Sequence, residues 1–169
     1  MPNIEIKAHL ANPEKAHAAA KAAHGEYVGQ DHQIDTYFCT PHGRLKLRES
    51  SLSGAQLIPY MRTDQSGPKK STYALIPIAE PSTCKQLLTD ILGVEAIVDK
   101  MRDIYLIGNV RVHIDTVVGL GSFLEFEAVY KNPADEAAEH AKVVALMEKF
   151  GVEQSHLLTG SYREMVNQL

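Results

Sequence analysis

The chain has 169 residues, 44% of them hydrophobic and 22% charged, with two cysteines and a formal net charge of −4. This composition predicts a globular protein with one domain, residues 1–169, without a disulfide framework, and the net charge argues against a nucleic-acid binder driven by bulk electrostatics. Because the sequence has neither an apolar leader nor an apolar run long enough to span a bilayer, we expect a cytoplasmic protein without membrane or nucleic-acid partners.

The first predicted strand, residues 3–7, has one apolar face and one charged face. Side chains of a strand alternate between faces, so Ile4 and Ile6 share one face, and Glu5 and Lys7 share the other. A single strand of this kind is usually a half-solvated surface strand. The same alternation returns in later strands, however, and this repetition indicates that the charged faces converge on one ligand.

Seven further strands follow from alternation and turn signals. In residues 44–48, three cations share one face and two leucines share the other, which is the clearest alternation in the chain. Gly108 and Asn109 predict a tight hairpin between two long strands. The further strands are predicted at residues 33–39, 44–48, 56–63, 71–78, 96–107, 110–117 and 123–130, with a polar loop at 64–69.

Helices are predicted where asparagine, proline or serine precedes a helical pattern and where glycine follows it. In one of these segments, Leu87, Leu88, Ile91 and Leu92 recur at the spacing of a stripe that faces a core. The predicted helices span residues 14–23, 81–92, 132–150 and 162–168.

The order of these elements predicts an α+β fold dominated by antiparallel sheet. A sheet of about eight strands with mostly hairpin connections tends to curl and close, because closure removes its edges. We therefore expect an antiparallel eight-stranded closed β-barrel with helices packed outside. If the charged faces point inward, the apolar faces point outward under the helices, and the barrel encloses a polar tunnel.

The charged faces carry a basic set and an acidic set of side chains. Burying so many charges in an empty cavity would be costly, whereas a multiply charged anion in a solvated tunnel removes the difficulty. Lysine and arginine bind phosphate oxygens, and carboxylates among them suggest a bridging Mg²⁺ or Mn²⁺ ion, so the implied ligand is a metal-bound triphosphate. The basic set is Lys7, Lys46, Arg48, Arg62, Lys100, Arg102 and Arg111, and the acidic set is Glu5, Asp115, Glu125 and Glu127.

Short motifs that carry these charges are spread from the first strand to the last helix. They are Ile4-Glu5-Ile6-Lys7, Arg44-Leu45-Lys46-Leu47-Arg48-Glu49, Lys100-Met101-Arg102, Asp115, Glu125-Phe126-Glu127 and Ser161-Tyr162. Together the motifs resemble those of CYTH-domain proteins, the superfamily of triphosphate tunnel metalloenzymes that includes class IV adenylate cyclases and thiamine triphosphatases. The resemblance covers essentially the whole chain and implies an antiparallel tunnel with a triphosphate inside.

The resemblance also implies roles for individual residues. The metal ligands would be Glu5, Glu125 and Glu127. The phosphate oxygens would be bound by Lys46, Arg48, Arg62, Lys100 and Arg102, with Lys7 and Arg111 beside them. The predicted catalytic residues are Lys7, Arg111 and Asp115, and Asp115 would orient a basic neighbour or the nucleophile.

Three activities are compatible with such a tunnel. The resemblance is strongest to the class IV adenylate cyclases, which convert ATP to cyclic AMP and pyrophosphate. The first alternative is a triphosphatase that hydrolyses inorganic triphosphate, thiamine triphosphate or a nucleotide. The second alternative is a sensor that binds a nucleotide or polyphosphate without turnover. In each case we expect a monomer or a homodimer.

The N-terminal motif departs from the family pattern at Asn3, where the family has glutamate. An amide oxygen can ligate a hard cation, but it brings no negative charge. We therefore expect one ion to be held by the remaining carboxylates and a second ion to depend on bound substrate. His113, which shares a face with Arg111 and Asp115, could face the tunnel, but we interpret it as a structural or bystander histidine.

Overall fold

The computed structural model describes residues 2–62 and 66–169. The predicted end of the fourth strand and the start of the loop after it, residues 63–65, lie outside the described residues. The strands are β1 Pro2–His9, β2 Glu26–Phe38, β3 Arg44–Ser50, β4 Gly54–Arg62, β5 Lys69–Tyr73, β6 Ile76–Pro77, β7 Val94–Ile107, β8 Val110–Val117 and β9 Gly121–Val129. The helices are α1 Pro13–Ala22, α2 Pro81–Leu92, α3 Glu136–Lys149 and α4 Tyr162–Asn167, with short 3-10 turns at Pro133–Asp135 and Gln154–His156.

The strands pair antiparallel around a closed ring. Their order is β3-β2-β7-β8-β9-β1-β5-β4, and β4 pairs back with β3 to close the ring. The short β6 continues β5 along the same edge of β4. Over the described ranges the ring thus has eight strands, which confirms the predicted closed antiparallel barrel with helices outside. No helix within these ranges combines the length and the apolar character that crossing a membrane requires.

The main hydrophobic core of the barrel lies outside its wall. Ile4 and Ile6 of β1 belong to a buried cluster that also contains residues of β8 and β9, Ala20 of α1 and Val143 of α3. Each large apolar side chain that is fully buried in this way contributes about 1.5–3 kcal/mol. Because neighbours along a strand point to opposite faces, this outer packing directs the intervening charged side chains into the tunnel.

The C-terminal segment covers part of the barrel and enters it. Leu157 forms a β-bridge with Ala8, and the Leu158 amide donates to the Lys7 carbonyl at 3.0 Å. These bonds lead into α4, whose Tyr162 is 2% exposed and lines the tunnel. The last helix therefore supplies a side chain to the tunnel interior as well as covering the wall.

Two predicted strands have the wrong bounds. The strand predicted at 71–78 begins earlier, at Lys69, and is divided into β5 and β6. Both parts pair with β4 in one register, and between them the Ala74 amide donates at 3.1 Å to the carbonyl of Pro59. The strand predicted at 33–39 begins earlier, at Glu26, since the polar residues before it pair with the far end of β7. The alternation signal is weak in those polar residues, and only the neighbouring strand shows that they are extended.

The predicted core stripe of the helix at 81–92 is also wrong, although the helix has those bounds. In the part of the chain that the structure describes, α2 has no buried residue, and Leu87 and Ile91 are 55% and 72% exposed. The helix packs against β2 and β3 of the wall. A periodic pattern indicates that a helix has an apolar face, but it does not indicate that another element covers that face.

Candidate functional site

A cavity of about 390 Å³ occupies the interior of the barrel. Asp115 is fully buried behind its wall and faces Arg102. The other predicted site residues line the cavity, so the structure brings the whole predicted set together. The lining members of that set are Glu5, Lys7, Lys46, Arg48, Arg62, Lys100, Arg102, Arg111, Glu125 and Glu127.

Asp35 of β2 organises the basic side of the tunnel. The Arg48 guanidinium donates from Nε to Oδ1 at 2.7 Å and from Nη2 to Oδ2 at 2.8 Å. The Lys46 and Lys100 ammonium groups donate to Oδ2, each at 3.1 Å. Burial alone would raise the pKa of Asp35, but these cations hold the pKa well below its ordinary value. The ionised carboxylate therefore gathers the cations into one cluster.

Asp115 of β8 fixes Arg102, its cross-strand neighbour on β7. Arg102 donates from Nε and Nη2 to the two carboxylate oxygens, each at 2.7 Å, and the Tyr162 hydroxyl donates to Oδ2 at 2.7 Å. Burial opposes the ionisation of Asp115, but the guanidinium outweighs it, and the pKa falls to about 2. This bidentate pair holds the Arg102 side chain in one orientation on the cavity wall.

Glu125 of β9 joins the acidic and basic sides. It lies directly opposite Lys7 of β1, whose Nζ is 3.2 Å from Oε2. On the other carboxylate oxygen, Oε1, the Nδ1 atom of His113 is at 3.0 Å and Nη2 of Arg102 is at 3.6 Å. Burial would raise the pKa of Glu125, but Lys7 and Arg102 lower it well below its ordinary value. Glu125 is therefore ionised at neutral pH.

Arg62 of β4 lines the cavity and carries two buried donor atoms without an acceptor among the described residues. Its Nη1 donates to Oε1 of Glu5 at 2.7 Å. Its Nε and Nη2 atoms are buried, yet none of the residues in the described ranges accepts a hydrogen bond from them. An unsatisfied buried donor costs about 1–3 kcal/mol, and an anion in the cavity that Arg62 lines would remove this cost.

The acidic side of the tunnel offers donors for a divalent cation. One ligand atom each from His113, Glu125 and Glu127 lies within 4.8 Å of the others. Glu5 lies directly opposite Glu127 in the β1–β9 ladder, and Nδ2 of Asn3 donates to Oε1 of Glu127 at 3.2 Å. Carboxylate and amide oxygens are ligands that Mg²⁺ and Mn²⁺ prefer, so this donor set fits the predicted ion.

One end of the cavity has an apolar rim. Ile104 and Leu106 continue the inward face of β7 beyond its charged residues and line the cavity. Val28, Leu52 and Leu75 complete the rim, and they are 48%, 55% and 50% exposed. Apolar walls with a few polar groups are typical of sites for organic ligands. An organic group attached to a phosphate chain could therefore contact this rim.

Gln33 of β2 adds an unpartnered acceptor to the same wall. Its Nε2 donates to Oδ2 of Asp31 at 2.7 Å, which fixes the orientation of the carboxamide. Its Oε1 is buried, and no residue that the structure describes donates to it. Asp31 is itself held by the Ser50 hydroxyl at the end of β3 and by the Ser51 hydroxyl in the turn that follows. A ligand with an N–H or O–H group would satisfy the Gln33 oxygen.

Several residues of the site lie outside the predicted set, among them Gln33, Asp35 and His113. Asp35 lies on the same inward face as Tyr37 in its strand, and that shared face was the available signal for it. His113 was interpreted as structural, but it lines the cavity and contacts Glu125. Asn3, which stands where the N-terminal motif has glutamate, also lines the cavity.

A family model described as the CYTH domain matches residues 1–162 of the chain. Among solved structures, the PH1012 protein from Pyrococcus horikoshii OT3 is 20% identical and has a TM-score of 0.80, over 98% of this chain and 99% of that chain. A protein from Vibrio parahaemolyticus, named "putative adenylate cyclase", is 21% identical with a TM-score of 0.76, over 96% of each chain.

A further similar structure is that of HpAC1 from Hippeastrum, named a "putative adenylyl cyclase" and described as having a dominant triphosphatase activity. It is 14% identical to this chain and has a TM-score of 0.61, over 98% of this chain and 95% of that chain. Comparison with curated proteins finds no match. At these identities, the solved structures show a shared fold.

Proposed function

The chain belongs to the CYTH domain family, and from this premise we propose that it is a metal-dependent enzyme that acts on a triphosphate inside its barrel. The observation that carries the proposal is a pair of buried Arg62 donor atoms, Nε and Nη2, that have no acceptor among the described residues and belong to a wall with further cations. Guanidinium and ammonium groups bind phosphate oxygens through charge-assisted hydrogen bonds. A triphosphate supplies both the acceptors and the negative charge that this wall lacks.

In this proposal, the wall residues divide into groups with separate roles. The residues that bind phosphate oxygens are Lys46, Arg48, Arg62, Lys100 and Arg102. Lys7 and Arg111 act beside the reacting phosphorus, and Asp115 keeps Arg102 in position. The residues that would hold Mg²⁺ or Mn²⁺ are Glu5, Glu125 and Glu127, and the bound ion would neutralise phosphate charge as the leaving group departs.

Adenylate cyclase chemistry of the class IV type is our first candidate activity. The ribose 3′-hydroxyl of ATP would attack the α-phosphorus in line with the bond to the β-phosphate, and pyrophosphate would leave as cyclic AMP forms. The fixed cations around Asp35 would accelerate the reaction by holding the phosphate chain in one orientation. The apolar rim and the Oε1 atom of Gln33 support a substrate with an organic group over inorganic triphosphate.

Hydrolysis is the second candidate, because HpAC1 is described as having a dominant triphosphatase activity. The same wall would hold the phosphate chain of ATP, inorganic triphosphate or thiamine triphosphate, and water would replace the ribose hydroxyl as nucleophile. A sensor without turnover is less well supported. A receptor for anions alone gains little from Glu5, Glu125 and Glu127 on its wall, since carboxylates repel phosphate.

Product analysis distinguishes these activities. The protein is incubated with ATP, inorganic triphosphate and thiamine triphosphate, each with Mg²⁺ or Mn²⁺, and the products are separated by anion-exchange chromatography. Cyclic AMP with pyrophosphate identifies the cyclase, whereas a diphosphate with inorganic phosphate identifies the hydrolase. Calorimetry with the same ligands detects binding without turnover. Absence of product from all the substrates would refute the enzymatic proposal.

We further propose that residues 1–169 act as one domain. The cavity wall includes Glu5 from the first strand and Tyr162 from the last helix, so both ends of the chain are needed to build it. Removal of α4 is therefore expected to disturb the tunnel as well as the surface.

Triphosphate binding is expected to take up protons at about pH 8. Burial lowers the pKa of Lys100 to about 8, an effect that Asp35 only partly offsets, and burial likewise lowers the pKa of Lys46. A bound polyanion favours the charged ammonium and raises these pKa values, so protons enter on binding. Affinity is therefore retained at lower pH and declines as the pH rises above about 8.

Calorimetry in buffers of different ionisation enthalpy measures this proton uptake. The Lys100→Met variant should take up roughly half a proton fewer than wild type at pH 8, because about half of the Lys100 side chains are neutral at their pKa. The exposed Lys149 provides the matched control, Lys149→Met. Equal uptake by wild type and Lys100→Met would show that Lys100 does not change its protonation state when the triphosphate binds.

A further inference from the structure

His113 occupies an unusual position among the acidic residues of the tunnel. It lies on β8, opposite Glu125 of β9 in the ladder, and only 2% of its surface is exposed. Its ring lines the cavity, and its Nδ1 is 3.0 Å from Oε1 of Glu125. A ligand atom of His113 also lies within 4.8 Å of one from Glu127, so the ring lies beside two carboxylates.

The distances in this cluster suit a single ion. One ligand atom each from His113, Glu125 and Glu127 lies within 4.8 Å of the others. Two ligands at about 2.1 Å from the same ion are at most about 4.2 Å apart. A movement of a few tenths of an ångström by each side chain would therefore place all three atoms around one cation.

Asn3 supplies an independent indication of a ligand at the same place. The side chain is 3% exposed, and its Nδ2 donates to Oε1 of Glu127 at 3.2 Å. Its Oδ1 is buried, and within residues 2–62 and 66–169 nothing donates a hydrogen bond to it. A hard cation at the carboxylate cluster would satisfy this amide oxygen.

We propose that His113 is a direct ligand of the divalent cation, together with Glu125 and Glu127, and that Asn3 Oδ1 contributes to the same site. The proposal rests on the metal dependence of the proposed function, but it concerns the composition of the site and not turnover. One imidazole nitrogen donates its lone pair to the ion, while the other keeps its hydrogen for a hydrogen bond.

The mixed donor set has a consequence for metal choice. Mg²⁺ takes oxygen ligands almost exclusively, whereas imidazole nitrogen suits first-row transition ions. A metal site built from carboxylates alone would lack the nitrogen ligand that distinguishes Mn²⁺ from Mg²⁺. The site built from His113, Glu125, Glu127 and Asn3 therefore selects Mn²⁺, or a later first-row ion, over Mg²⁺.

Pulsed electron paramagnetic resonance of the wild-type protein loaded with Mn²⁺ alone tests the proposal directly. A coordinated imidazole gives a nitrogen hyperfine coupling to the ion, and we expect this coupling in wild type and its loss in His113→Gln. His32, an exposed histidine paired with Asp99 on the surface, provides the control His32→Gln, which should keep the coupling. The wild-type spectrum needs no variant, so a folding defect in His113→Gln leaves the test intact.

Calorimetry with Mn²⁺ and Mg²⁺ measures the selectivity. The His113→Gln variant should lose about tenfold or more in Mn²⁺ affinity, with less than about a threefold change for Mg²⁺. Absence of nitrogen coupling in Mn²⁺-loaded wild type, persistence of the coupling in His113→Gln, or equal losses for the two ions would overturn the proposal. Because no measurement here involves a triphosphate, nitrogen coupling without turnover would refute the proposed function and leave this inference standing.

Discussion

Replacement of Glu127 by glutamine is expected to reduce metal-dependent turnover by about a hundredfold or more, with little change in the fold. Glutamine keeps the size of the side chain and an acceptor for the Asn3 amide, which now donates to Oε1 of Glu127. It removes the negative charge that the proposed ion requires. Since Glu127 is only partly buried and belongs to the inward face, the outer hydrophobic core is untouched.

The measurement is the steady-state rate as a function of Mg²⁺ and Mn²⁺ concentration, with circular dichroism as the check on folding. The exposed Glu148 on α3 gives a matched substitution, Glu148→Gln, which should behave as wild type. Glu125→Gln should lose a similar amount of activity, but with a lower thermal stability, because Lys7 and Arg102 then lose a buried charged partner. Wild-type turnover by Glu127→Gln would remove Glu127 from the metal site.

Replacement of Asp35 by asparagine is expected to destabilise the free protein by about 3–5 kcal/mol. The carboxylate is fully buried and is the shared partner of Lys46, Arg48 and Lys100. Without its charge, these cations would repel one another at short range inside the barrel. A bound triphosphate brings compensating negative charge, so it should stabilise Asp35→Asn more than it stabilises wild type.

Urea unfolding with and without inorganic triphosphate measures both effects. The comparison variant is Asp99→Asn, which removes a surface carboxylate paired with His32 and should change stability by less than about 1 kcal/mol. If Asp35→Asn unfolds at the wild-type urea concentration, the cations do not depend on Asp35 for their stability in the free protein. If triphosphate stabilises both proteins equally, the phosphate chain does not lie beside this cluster.

The alternation of residue types determined which side chains share a face. In β1 the period of two places Glu5 and Lys7 together and Ile4 and Ile6 together, and it does so without reference to any other part of the chain. The same local rule holds for residues 44–48. The predicted site residues therefore came from the sequence, because face membership is a property of the extended backbone and is nearly independent of what packs against it.

The tertiary structure alone decided which faces meet and which side chains pair. The contact of Lys7 with Glu125 depends on β1 lying between β5 and β9. The cluster of cations around Asp35 depends on β2 lying between β3 and β7. The exposed leucine stripe of α2 is a second example, because the local sequence pattern does not determine whether another element packs on an apolar helix face. Alternation is fixed by the geometry of one strand, whereas strand order and register are fixed by packing between residues far apart in the chain. Asp35 and His113 acquire their partners only once those distant strands are paired.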